Sequence, residues 1–135
     1  MTRAPEDPAR RTTSVLLVED NDDIRFLLRF WFESDSRCGP VWEATSPPEA
    51  IEQARTRQLD VMIVDYMLTG GTALDCLAEL RRLHPHAWIV VFTANRAVAV
   101  EAGVLTMGAD VLLEKLQVVV EDVVELALSP DRPAS

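Results

Sequence analysis

Five residues carry the chemistry that this sequence can support. Glu19 and Asp20 follow an apolar run, Ser14–Val18, and Asp65 follows a second, Leu59–Val64. Thr93 follows Trp88–Phe92, and Lys115 lies just past Ala109–Leu113. Three carboxylates brought within a few ångströms raise one another's pKa or demand a cation. With oxygen donors only and no His or Cys nearby, that cation is hard: Mg²⁺, with Mn²⁺ as a substitute. A hydroxyl and an ammonium on the opposite side make a pocket that fits a phosphoryl group. Singly, these residues are ordinary, because acidic runs cap helices and a lone Asp after a strand turns the chain. Lys115 is harder to dismiss. It is the single lysine among 13 basic residues, and a compact ammonium suits a small phosphate pocket where a guanidinium does not.

The elements that must position these residues alternate regularly. Ser14–Val18 is a strand, followed by a helix over Ile24–Glu33 with Ile24, Leu27, Leu28 and Trp31 on one face. Asp22 or Asp23 supplies its cap or first-turn carboxylate. Pro40–Ala44 is a second strand, and Ser46-Pro47 opens a second helix to about Arg57. Leu59–Val64, Trp88–Phe92 and Ala109–Leu113 are strands three to five. Helices are expected over Thr72–Leu83, Arg96–Met107 and Gln117–Leu128. Strands apolar on both faces and alternating with helices make an α/β domain with a parallel sheet covered on both sides. Five such units suggest a flavodoxin-like doubly wound five-stranded parallel sheet, order 2-1-3-4-5, with five helices. Ligands of such sheets bind beyond the carboxyl ends of the strands, where all five residues fall.

Composition narrows the class further. The 135 residues suit one domain: a flexible tail over 1–13, the domain proper over 14–128, and a second flexible tail over 129–135. A net charge of −9 argues against direct nucleic-acid binding. No apolar run spans a membrane and no signal peptide is evident, so a cytoplasmic location without membrane contact is expected. Cys38 and Cys76 have neither metal-ligand nor CxxC spacing and read as reduced thiols.

The segments Leu16–Asn21, Val61–Leu68, Val90–Ala94 and Gly108–Asp110 with Lys115 resemble the receiver domain of two-component response regulators. The separations between positions 20, 65, 93 and 115 fit too, and the likeness covers about 14–128. The resemblance implies that Asp65 accepts a phosphoryl group from a phosphohistidine on a sensor histidine kinase or phosphotransfer protein. Glu19, Asp20, Asp65 and the Met67 backbone carbonyl would hold Mg²⁺. Lys115, Thr93 and the Ala94 N–H would bind the phosphoryl group. The chain would then be a stand-alone signalling switch rather than an enzyme, working through a downstream protein partner or a homodimer.

Three positions depart from the family. Thr69 stands where proline is usual four residues after the acceptor. Leu116 replaces the proline after the lysine, which favours a trans bond there. Leu112 replaces an aromatic three residues before it. These departures bear on output, and they leave a phosphorylation-independent pseudo-receiver as the alternative. A flavin site is disfavoured by the anionic loop Glu19–Asp23, and a phosphohydrolase lacks a second Asp two residues after Asp65. The fourth helix has two apolar faces, Ala97/Val100/Val104/Met107 and Val98/Ala102/Leu105. The fifth has a core stripe of Val119, Val120, Val123, Val124 and Ala127, with Val118 and Leu126 to spare. An output face around Leu105, Leu112 and Leu126 is therefore expected.

Overall fold

A computed structural model describes residues 11–130. The five long apolar runs form one parallel sheet from β1 (Thr13–Val18), β2 (Cys38–Ala44), β3 (Val61–Val64), β6 (Trp88–Thr93) and β7 (Val111–Glu114). Its order is β2-β1-β3-β6-β7, the expected doubly wound arrangement. A two-stranded hairpin, β4 (Met67–Leu68) with β5 (Gly71–Thr72), comes after β3 and had no periodic signal of its own. The strand β1 starts at Thr13, one residue inside the stretch read as a tail; positions 1–10 and 131–135 of the two expected tails lie outside the described residues.

Alternation divides the core in two. Leu16, Val18, Met62, Val64, Ile89 and Val91 face one helix layer, with Ala50, Leu77, Leu80 and Ala99 packed on them. Val15, Leu17, Val61, Ile63, Val90 and Phe92 face the other, with Leu28, Phe32, Val123 and Val124. Every residue of β3 and β6 is buried, as central strands covered on both faces require.

The helices are α1 (Asp22–Glu33), α2 (Pro47–Thr56), α3 (Leu77–Leu83), α4 (Arg96–Ala102), α5 (Val104–Met107) and α6 (Val120–Leu128). A 3₁₀ turn, Ala73–Asp75, capped by Thr72, leads into α3. Asn21, rather than Asp22 or Asp23, caps α1 by accepting from the Ile24 N–H at 3.0 Å.

Several expected details differ, beginning with the helix expected over Thr72–Leu83, whose α-helical part is Leu77–Leu83. Helix α1 buries Leu28 and Phe32 with Ile24 partly covered, while Leu27 and Trp31 are exposed. Its apolar residues cover all but the stripe of Asp22, Arg25, Arg29 and Glu33, a face wider than the core contact, so periodicity did not fix which part of it is buried; Arg25 and Arg29 pair with Glu43 on β2 and hold the observed rotation. The fourth expected helix breaks at Gly103, whose φ of +80° ends α4 in the left-handed region. The break shifts the phase: Ala99, in neither expected face, and Val104, from the first, are buried and Ala102, from the second, packs on the core, while Ala97, Val98, Val100, Leu105 and Met107 are exposed. Helix α6 starts at Val120, not Gln117. Val119 is therefore its exposed cap residue, and Val118 packs on the core instead.

Among the described residues no helix is long and apolar enough to cross a membrane.

Candidate phosphoryl and metal site

Strand register brings the site together. Val18 pairs with Val64, and the Asp65 N–H donates to the Val18 carbonyl at 2.9 Å, so the residues after β1 and β3 leave the sheet side by side. Val64 pairs with Val91 and Thr93 with Glu114, which brings Thr93 and Lys115 to the same edge. The Lys115 N–H donates to the Thr93 carbonyl at 2.8 Å. Glu19, Asp65 and Thr93 are buried as whole residues, side chain and backbone together.

The Lys115 ammonium donates to Glu19 Oε1 at 2.9 Å and to Asp65 Oδ2 at 3.0 Å. Burial works against its charge, yet the Glu19 hydrogen bond and the Asp65 charge overcome this and hold its pKa above the ordinary value. Burial pushes the Glu19 carboxyl up to about 7; Lys115 opposes that shift and the Asp65 charge adds to it. Glu19, Asp20 and Asp65 each place one carboxylate oxygen so that all lie within 4.8 Å of one another. A close set of oxygen donors carrying excess negative charge fits a hard divalent cation such as Mg²⁺.

The Thr93 hydroxyl accepts from the Asn95 N–H at 3.2 Å, which leaves its own proton available to donate. Asn95 in turn caps α4, accepting from the Val98 N–H at 3.1 Å. Ala94 is exposed between them, and Met67, on the hairpin, has an exposed side chain.

Two contributors were missed from sequence. The Thr69 hydroxyl, at the position where the family usually has proline, donates to Asp20 Oδ2 at 3.3 Å. Arg25 donates to the Glu19 backbone carbonyl at 2.9 Å. The only signal for Arg25 was its position three residues after Asp22, the spacing of a helical ion pair.

The departures also have places. The described chain has no cis peptide bond, so Lys115–Leu116 is trans, and the Leu116 side chain is 82% exposed. Leu112 is 6% exposed and lies in the core beneath α4, not on the surface expected of it. It is a packing residue because the inward face of β7 has to fill the space under Ala99 and Val104. Leu105 and Leu126 are exposed.

The sequence profile described as the response regulator receiver domain matches residues 15–125. The chain belongs to that family. KdpE, the KDP operon transcriptional regulatory protein of Escherichia coli (strain K12), is 32% identical over 103 residues, 76% of this chain and 44% of its own length. The nitrate/nitrite response regulator protein NarP of the same organism is 31% identical over 108 residues, 80% of this chain and 50% of its own. The receiver thus spans about half the length of the curated relatives it matches. Among solved structures, a response regulator protein from Burkholderia pseudomallei contains a phosphorylated aspartic acid, a calcium ion and citrate. It is 28% identical with a TM-score of 0.76, over 89% of this chain and 68% of that one. The response regulator domain of Thermotoga maritima CheB shares the fold, with a TM-score of 0.75 at 20% identity, over 90% of this chain and 99% of that one.

Proposed function

We propose that this receiver is a phosphorylation switch in which Asp65 accepts a phosphoryl group from a phosphohistidine on a sensor histidine kinase or a phosphotransfer protein. An Asp65 carboxylate oxygen attacks phosphorus, the new O–P bond replaces the N–P bond, and the electron pair stays on the leaving imidazole, which takes up a proton. The observation that carries this reading is the Lys115 ammonium held 3.0 Å from Asp65 and 2.9 Å from Glu19, with the Asp20 carboxylate beside them. Lys115 neutralises charge gathering on the phosphoryl oxygens, and the Thr93 hydroxyl and Ala94 N–H bind those oxygens on the other side. Glu19, Asp20, Asp65 and the Met67 carbonyl would hold Mg²⁺ (or Mn²⁺), which would supply further charge neutralisation.

Output depends on two links. Thr93 is bonded to Asn95, the cap of α4, and Arg96 Nη1 donates to the Leu112 carbonyl on β7 at 2.9 Å. A Thr93 hydroxyl drawn toward a phosphoryl group therefore pulls on both α4 and β7, a local charge change that biases a larger element. The exposed Leu105 and Leu126 then serve a face that contacts a downstream protein or a second copy.

The test is phosphotransfer from a phosphorylated histidine phosphotransfer domain, monitored with Mg²⁺ and with EDTA. Transfer to this chain is expected in Mg²⁺, with a hydroxylamine-labile product typical of an acyl phosphate, and little transfer in EDTA. No transfer from any phosphohistidine donor, and none from a small phosphodonor, would instead make it a pseudo-receiver.

A further inference from the structure

Asp20 is the exposed member of the acidic set, and among the described residues the side chain hydrogen-bonded to its carboxylate is Thr69, at 3.3 Å. Its direction must come from the backbone before it. That backbone is gripped on both sides: the Glu19 N–H donates to the Ala44 carbonyl at 3.0 Å, and the Glu19 carbonyl accepts from Arg25 Nη1 at 2.9 Å. Arg25 is itself held. Its Nε donates to Glu43 Oε1 at 2.6 Å and its Nη2 to Asp22 Oδ1 at 2.6 Å, and its side chain is largely covered. Glu43 stands on β2 opposite Leu17 of β1, and Arg29 pairs with its other carboxylate oxygen.

We propose that Arg25 is a positioning residue for the cation cradle: braced on Glu43, it holds the Glu19 carbonyl and so fixes the direction in which Asp20 leaves β1. This rests on the reading of Glu19, Asp20 and Asp65 as the cation site. Two consequences of losing Arg25 have opposite signs, and that separates positioning from charge. A positive charge beside three carboxylates repels a cation, so removing it tightens Mg²⁺ binding if the field is all that matters. Releasing the Glu19 peptide loosens the cradle and weakens binding, as loss of an outer-shell partner does at metal sites. A lysine keeps the charge but has one donor centre, and it cannot span Glu43, Asp22 and the Glu19 carbonyl together.

The experiment is calorimetric titration of Mg²⁺ into metal-free protein for wild type, R25K, R25Q, E43Q and D20N, with melting in EDTA as the control for folding. The account expects Kd to rise about tenfold in R25K and R25Q, and severalfold in E43Q, where Arg25 remains but must share one neutral amide oxygen with Arg29. R25K at the wild-type Kd with R25Q binding more tightly would overturn the positioning role and leave only a field effect. If R25Q melts too low to titrate, E43Q decides, and an unchanged Kd there overturns the brace. A wild type that binds no Mg²⁺ overturns this proposal together with the cation reading. A wild type that binds it, with D20N impaired and the Arg25 and Glu43 variants unimpaired, overturns the brace alone.

Discussion

Lys115 Nζ lies 3.0 Å from Asp65 Oδ2, although β6 separates the strands from which the two residues emerge. Two strand spacings amount to roughly 10 Å, which the four-carbon stem of lysine crosses. The stem passes Phe92, whose ring centroid is 5.8 Å from the ammonium. Removing the charge strands Glu19 and Asp65 as neighbouring buried carboxylates. K115M is expected to lose about 3 kcal/mol in EDTA, the low end for a buried pair that loses one partner, because Glu19 can take up a proton. Millimolar-range Mg²⁺ should then raise its melting temperature by more than it raises that of wild type. Denaturant titration in EDTA checks the first part, and thermal melts with and without Mg²⁺ check the second.

A second buried charge ties the far side of the sheet. Arg81 donates to Asp110 Oδ2 at 2.7 Å, to the Gly108 carbonyl at 2.8 Å and to the Ala87 carbonyl at 2.7 Å. The Asp110 side chain is 4% exposed. R81M leaves that carboxylate, among the described residues, with the Ile89 N–H at 2.9 Å and no cation, and is expected to cost about 2–4 kcal/mol. Adding D110N should recover part of the loss, read from the midpoint of urea unfolding.

How far such details were legible before the fold was known depended on the kind of signal. Asp65, Glu19 and Lys115 could be placed because the apolar runs of the parallel strands end sharply, and a residue just past such an end lies on the carboxyl edge of the sheet. The rotation of α1 could not be read, since Phe26, Leu27, Phe30 and Trp31 compete with Leu28 and Phe32 for the same core. Only the ion pairs from Arg25 and Arg29 to Glu43 break that tie, and they are tertiary. The break between α4 and α5 was marked by Gly103, but an isolated glycine in a helical pattern is tolerated often enough to be read through. Leu112 was misplaced because which face of β7 turns inward, toward Ala99 and Val104, is a tertiary fact.

Both thiols are expected to be sluggish. Burial pushes Cys76 up to about 12 and the half-buried Cys38 up to about 11. Desolvation penalises the thiolate, so the reactive fraction at pH 8 is small and rises as pH approaches the pKa. Native alkylation with iodoacetamide should be slow, faster at Cys38 than at Cys76, and faster for both at pH 9.5. In denaturant the two should react alike. Equal, rapid labelling of the native protein at pH 8 would contradict the burial.

The output face is tested by charge. L105E and L126E place carboxylates on exposed positions and are expected to leave phosphorylation of Asp65 unchanged while weakening self-association or partner binding severalfold. Sedimentation of the phosphorylated and unphosphorylated forms checks this. A strictly monomeric protein in both states, with a partner that binds elsewhere, would refute the role of this face.

The central claim is that Asp65 is the phosphoryl acceptor. The direct measurement is the intact mass of wild type and D65N after incubation with a small phosphodonor in Mg²⁺, with circular dichroism to show that both are folded. The amide keeps the shape of the side chain but cannot act as the nucleophile. The account predicts one added phosphoryl group on wild type and none on D65N. Phosphorylation of D65N at the wild-type rate, or no mass change on wild type at saturating donor and Mg²⁺, would contradict it.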